Sequence, residues 1–200
     1  WRNWVAVYVD GKLGSLEGVI YDNWKRYIGG YDVAELVGIG LDFGFTNDPT
    51  AAIAVYKLDG KFLLEEIIYK TGLLNSDIAK LLKQAAKLRN WGNNFLLVCD
   101  SSEPKSIAEL KKAGLKAVGV KKGKDSILYG IGLVQEYDFL VDKDSDNLIN
   151  ELENYSWVRK RGKTINVPED KNNHIMDALR YLIMEKYSKR PAPSRPFTFL

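Results

Sequence analysis

The sequence is poor in the side chains that build redox and zinc sites: it holds one cysteine, Cys99, and one histidine, His174. One cysteine excludes an internal disulfide, and this pair cannot make a His/Cys zinc cluster. Such cysteine usage fits a reducing compartment. No apolar run approaches the roughly 18 residues that a membrane span needs, so no membrane partner is expected. The start, Trp-Arg-Asn-Trp-Val, lacks the charged-then-apolar order of a signal peptide and has no Met, so a piece of a longer protein is expected. No Gly-x4-Gly-Lys-Ser/Thr phosphate-binding loop occurs, which excludes P-loop motor work within this stretch. Charge of one sign is scarce too. The balance of 29 Lys+Arg against 26 Asp+Glu leaves +3, which permits a nucleic-acid partner without arguing for one.

What is present suits one folded domain with a short appendage: 200 residues, of which 46% are hydrophobic. Residues 1–37 differ from the rest. Val5–Val9 is strand-like, Asp10-Gly11-Lys12 makes a turn, and the stretch to Tyr31 is rich in Gly and aromatics without a helical period. This part reads as a linker or the trailing segment of a preceding domain.

From Val37 the pattern becomes regular. Val37–Phe43, Ala51–Leu58 and Phe62–Tyr69 are strand candidates, the last two joined by Asp59-Gly60, a hairpin signal. Helical spacing follows over Ser76–Asn90, then Phe95–Cys99 is a continuous apolar run expected to be buried on both faces. Lys105–Ala113 reads as helix, Leu115–Val120 as strand, Asp125–Tyr137 as helix capped by Asp125 or Ser126, Phe139–Val141 as strand and Ser145–Tyr155 as helix. Trp157–Arg159 and Thr164–Val167 pair as a hairpin around Arg161-Gly162, and Asn172–Tyr187 is a closing helix capped by Asn172 or Asn173. The tail from Arg190 carries three prolines and is expected to be flexible. Three antiparallel strands followed by alternating helix and strand predict an α/β fold with a mixed sheet.

Three acidic positions stand out. Asp42 lies near the end of the first strand, Asp100 ends the buried strand, and Asp177 lies in the last helix. Singly, each also suits a bland role; Asp100-Ser101-Ser102, for one, makes a good Asx turn. Together they suggest a site, because the ends of neighbouring strands converge on one edge of an open α/β sheet. Carboxylates so placed repel one another until a cation joins them, and oxygen donors suit Mg²⁺ or Mn²⁺ rather than zinc. His174, three residues before Asp177, shares its helix face; it reads either as a solvent-facing histidine at a helix start or as a member of the site.

These residues occur in matching order with Gly40-Leu41-Asp42-Phe43-Gly44, Asp48-Pro49-Thr50-Ala51, Val98-Cys99-Asp100-Ser101, Lys124-Asp125-Ser126-Ile127 with Gly130-Ile131, and Asn173-His174-Ile175-Met176-Asp177-Ala178-Leu179-Arg180-Tyr181. The set resembles the nuclease domain of the large terminase subunit of tailed bacteriophages, over about residues 38–187; the last piece is the most specific. The segment with Glu17-Gly18-Val19-Ile20-Tyr21 and Asn23-Trp24 looks like the end of that family's ATPase domain. The resemblance implies an RNase H-like fold over 38–189, with 1–37 trailing an ATPase domain and 190–200 a tail. It implies metal-binding carboxylates at Asp42, Asp100 and Asp177, with His174 beside them. It further implies two Mg²⁺ or Mn²⁺ ions and endonucleolytic cutting of concatemeric double-stranded DNA. The implied partners are the small terminase subunit, the portal and the ATPase domain of the same full-length chain, at the procapsid in the host cytoplasm.

Two basic clusters are candidates for DNA phosphate contact: Lys121, Lys122 and Lys124 in one loop, and Arg159, Lys160, Arg161 and Lys163 in the hairpin. Each also reads as a solvated charged turn. Three rivals stay in view. Asp42-Phe43-Gly44-Phe45-Thr46-Asn47 resembles the first phosphate hairpin of actin-like ATPases, but no second phosphate motif follows. A resolvase or transposase core would share the metal site, and a docking module would keep only the fold.

Overall fold

In a computed structural model, residues 18–31, 34–92 and 94–188 are described. The strand expected over Val5–Val9 and the tail from Arg190 lie outside them. Within the described residues, strands β1 (Trp24–Tyr27), β2 (Glu35–Asp42), β3 (Thr50–Leu58) and β4 (Lys61–Lys70) come first, followed by helix α1 (Asn75–Leu88). Then follow β5 (Leu96–Cys99), α2 (Pro104–Lys112), β6 (Lys116–Gly119), α3 (Ser126–Val134), β7 (Phe139–Asp142) and α4 (Asp146–Asn154). The hairpin β8 (Trp157–Lys160) and β9 (Lys163–Pro168) precedes α5 (His174–Tyr187).

β2, β3 and β4 pair antiparallel in sequence order, and the expected turn between β3 and β4 holds Asp59 and Gly60 at φ of 47° and 79°. That left-handed pair is what a tight two-residue hairpin demands, and Gly supplies it without steric cost. β5 joins β2 in parallel, β6 joins β5, and β7 joins β4, giving the seven-stranded order β1-β7-β4-β3-β2-β5-β6. The mixed sheet of the sequence expectation is therefore present.

The pleat sorts β3 between two cores. Ala51, Ile53 and Val55 face a cluster formed with α3, α4 and α5; Ala52, Ala54 and Tyr56 face another formed with α1 and α2. With both faces covered, strands such as β5 carry no polar alternation. Part of the segment read as a trailing piece is built into this body: β1 pairs with β7 as the outer strand, and Ile20 and Tyr21 are buried in the α5-side core. No helix among the described residues is long and apolar enough to cross a membrane.

Two capping expectations differ from what is observed. Asn173 occupies the N-cap position of α5, but its side chain donates to Asp170 rather than capping the helix. The N–H groups of Ile175 and Met176 are instead taken by Glu151 Oε2, at 2.8 and 3.1 Å, reaching over from α4. Asp125 stands at the N-cap position of α3 with φ 59° and makes no side-chain cap bond.

Candidate active site

The strand ends set the site. β2 and β5 run parallel with Leu41 opposite Cys99, and the Asp100 N–H donates to the Leu41 carbonyl at 3.3 Å. Asp42 and Asp100 therefore leave the sheet side by side, at the point where β2 has an antiparallel neighbour on one flank and a parallel one on the other. Ligand sites of open α/β sheets form at such places.

The third side chain arrives on α5, which packs very closely over β2. A Cβ at Gly40 would stand 2.0 Å from the Ala178 carbonyl oxygen, so glycine is what permits the approach. One turn earlier on that helix, His174 Nδ1 is 3.5 Å from Asp42 Oδ2, and its Nε2 is 3.8 Å from Asp48 Oδ1. Asp177 lies on the same helix face, and Tyr181 one turn further on sends its hydroxyl 3.1 Å to Asp100 Oδ2. The four residues expected from sequence, Asp42, Asp100, Asp177 and His174, thus belong to one edge of the fold.

Electrostatics ties them together. Burial pushes the Asp42 carboxyl above its ordinary range, with the charges of Asp177 and Asp100 adding to the push and His174 opposing it. The hydrogen bond with Asp42 raises the His174 imidazole, so the histidine holds its proton more readily. Tyr181, buried and in the field of Asp177, Asp42 and Asp100, is raised far beyond any physiological range and stays a neutral donor.

Each carboxylate has its own cationic partner. Asp42 has His174; Asp177 accepts from Arg180 Nη2 at 2.7 Å; Asp100 accepts from Lys122 Nζ at 2.5 Å and from the Ser102 N–H at 2.8 Å. Against the upward push of burial, Lys122 and Ser102 hold Asp100 below its usual range. Among the described residues, no three His, Cys, Asp or Glu side chains stand close enough to ligate one ion in this arrangement. The donor chemistry nonetheless fits a hard divalent cation: three carboxylates at one edge, with the Asp42 carboxyl raised by burial and further by the charge of the other two, and cationic groups already drawn to all three.

The basic clusters diverge. Lys121 and Lys124 are exposed, whereas Lys122 turns onto Asp100 and lies over the Tyr181 ring at 4.8 Å. Arg159, Lys160, Arg161 and Lys163 sit on the β8–β9 hairpin, a separate two-stranded sheet tied to the body through Val19, Gly18 and Ser156. Sequence reasoning missed Asp48, Arg180, Glu151 and the inward turn of Lys122. Tyr181, absent from the expected site, stands four residues after Asp177, a spacing that sets it on the acidic face. Nothing local marks Glu151, whose task depends on another helix.

Comparison with known proteins bears on the family and the fold. Residues 42–185 match the family model described as a terminase RNase H-like domain. The terminase large subunit of Bacillus phage SPP1 is 34% identical over 152 residues, covering 71% of this chain and 34% of that protein. The PBSX phage terminase large subunit of Bacillus subtilis strain 168 is 26% identical over 195 residues, covering 92% of this chain and 44% of that protein. The chain thus spans between a third and a half of the length of these relatives. Among solved structures, the large terminase nuclease domain of bacteriophage SPP1 with bound Mn superposes with a TM-score of 0.67 at 28% identity, over 82% of this chain and 97% of that one. The chain belongs to the terminase RNase H-like domain family, as the nuclease domain of a terminase large subunit.

Proposed function

We propose that this domain is a metal-dependent endonuclease that cuts concatemeric double-stranded DNA during viral genome packaging. The observation that carries this reading is the meeting of Asp42 and Asp100, from adjacent parallel strand ends, with the His174–Asp177 face of α5. The SPP1 nuclease domain with bound Mn supports the choice of a divalent cation. Asp42, Asp100 and Asp177 would hold two Mg²⁺ or Mn²⁺ ions, with Asp42 set by an interior strand that is paired on both flanks. The ions, when bound, neutralise phosphate charge and lower the pKa of a water that serves as nucleophile.

The protein's own groups do the rest. Gly40 lets α5 sit on the sheet, so the carboxylate edge is set by backbone packing. Tyr181 fixes one oxygen of Asp100. His174, bracketed by Asp42 and Asp48 and raised by its bond with Asp42, is placed to offer a proton at the acidic edge. Lys121, Lys124 and the hairpin cations Arg159, Lys160, Arg161 and Lys163 hold the duplex by its phosphates, a contact that reads charge and not sequence. In the full-length chain, residues 1–37 lead from an ATPase domain into residues 38–189, with 190–200 as a tail. The small terminase subunit and the portal are the partners, at the procapsid in the host cytoplasm.

The test is digestion of supercoiled plasmid with Mn²⁺, Mg²⁺ or EDTA, run beside Asp42→Asn. Cutting is expected with metal, none with EDTA, and none from the variant, whose circular dichroism stays that of the parent. Undiminished cutting by Asp42→Asn would remove Asp42 from the site, and preference for branched over linear duplex DNA would favour a resolvase-like role instead.

A further inference from the structure

The three cationic partners of the acidic edge differ in one respect that matters for loading a metal. The Arg180 side chain is only 3% exposed, and its stem lies against α3: a Cβ at Gly130 would fall 2.5 Å from Arg180 Cγ. Its packed stem holds the guanidinium beside Asp177. His174 is fixed by its helix and by the edge of the Tyr69 ring. Lys122 is different. It projects from the loop between β6 and α3, its side chain is 32% exposed, and its ammonium reaches Asp100 Oδ1 across one ion pair. A flexible stem carrying a compact charge can swing to solvent at little cost.

Asp100 is also the carboxylate most fully occupied. One oxygen takes Lys122 and the Ser102 N–H, and the other takes the Tyr181 hydroxyl. The Tyr181 bond and the Ser102 bond orient the carboxylate without neutralising it. Lys122 neutralises it, and the face of the Tyr181 ring steadies the ammonium there.

We infer that Lys122 is a built-in counter-ion of Asp100, which a divalent cation must displace before Asp100 can ligate it. The inference rests on the metal-dependent reading above. It assigns Lys122 a place in metal loading that its sequence neighbours Lys121 and Lys124, both exposed and without a hydrogen bond to Asp100 here, do not share. The lysine keeps Asp100 from standing as an uncompensated carboxylate beside Asp42 and Asp177, and it sets a threshold that the metal concentration has to exceed.

Calorimetric titration of Mn²⁺ into the metal-free protein at fixed ionic strength tests this without reference to cutting. Lys122→Gln should bind Mn²⁺ about fivefold more tightly than the parent, the equivalent of one partly exposed ion pair removed from the competition. Lys122→Arg keeps a cation beside Asp100 and should stay within twofold of the parent. Lys116→Gln, which makes the same change in net charge on β6 away from the acidic edge, should do likewise. Equal or weaker binding by Lys122→Gln, with binding abolished in Asp42→Asn, overturns the counter-ion role and leaves the metal site standing. Tightening by Lys116→Gln as large as by Lys122→Gln also overturns it, since net charge alone would then account for the effect. Absence of Mn²⁺ binding by parent and variants alike overturns both readings together.

Discussion

Two stretches of this chain look alike on paper and behave differently in the fold. Lys121-Lys122-Gly123-Lys124 and Arg159-Lys160-Arg161-Gly162-Lys163 are both short, glycine-containing, cation-rich turns. The first is fastened to the acidic edge through Lys122, with Asp100 on one side and the Tyr181 ring beneath. The second tops a hairpin outside the seven-stranded sheet and turns through Arg161 and Gly162 at φ of 50° and 76°. What a cluster of charge does is decided by what stands behind it. Here a strand-end carboxylate draws one lysine inward, while the hairpin turn stands on a two-stranded sheet of its own. The acidic edge is therefore a property of global packing, and the hairpin is a property of local chain geometry.

The sharpest way to separate the two is to disturb the packing alone. Gly40→Ala puts a methyl group into the Ala178 backbone, where the contact would be 2.0 Å, and forces α5 away from β2. Overpacking against backbone costs about 3 kcal/mol, which for a chain of this size lowers the thermal midpoint by roughly 6–12 °C. Because Asp42, His174 and Asp177 ride on the two elements being separated, Mn²⁺ affinity should fall with it. A thermal midpoint within a degree of the parent would show that α5 is not seated on β2 as described.

The next effect concerns how α5 is held at its N-terminus. Glu151 is fully buried and accepts from two α5 N–H groups and from the Tyr69 hydroxyl at 3.1 Å. Burial pushes its carboxyl up to about 7, against the pull of the Met176 N–H, Tyr69, His174 and the Ile175 N–H. A carboxyl whose folded pKa is raised retains in the native state a proton that the unfolded chain releases. Its contribution is therefore greatest below pH 4.5, declines as pH rises through about 7, and is level beyond. The decline amounts to something on the order of 3 kcal/mol. Glu151→Gln should flatten it: the difference in denaturant stability between variant and parent should move in the variant's favour between pH 5 and 8. A difference independent of pH would mean that Glu151 is ionised throughout, with the helix N-terminus outweighing the cost of burial.

These cases show how far the residues alone could be read. Period-two and 3.6-residue patterns located the main strands and helices, since burial on a known face imposes them directly. Strand-end position and helix spacing singled out Asp42, Asp100, Asp177 and His174, because neighbouring strand ends and residues three apart on a helix meet by construction. Side-chain partners across the fold were not legible. Glu151 caps a helix about two dozen residues downstream, and Lys122 finds Asp100 across 22 positions. Both depend on the order in which strands join the sheet. The caps assigned to Asn172 or Asn173 failed for the same reason: a buried carboxylate from α4 outcompeted the local side chain.

The smallest expected effect belongs to the hairpin, and it closes the comparison from the other side. Arg161 and Lys163 are exposed beside the turn, while Arg159 is engaged within the fold, so the first two are the cleaner pair to reverse. Arg161→Glu with Lys163→Glu removes two phosphate contacts in the proposed complex. Each contact contributes about 0.9 to the slope of log affinity against log salt, so the slope should become shallower by roughly 1.8. Duplex affinity near 0.1 M salt should drop about tenfold, whatever the DNA sequence. Mn²⁺ affinity and thermal midpoint should stay at parental values, because no carboxylate of the acidic edge touches the hairpin tip through any hydrogen bond or ion pair found among the described residues. A variant that binds DNA with an unchanged salt slope would make this hairpin a solvated turn and leave Lys121 and Lys124 as the phosphate contacts. One that loses Mn²⁺ as well would couple the hairpin to the acidic edge.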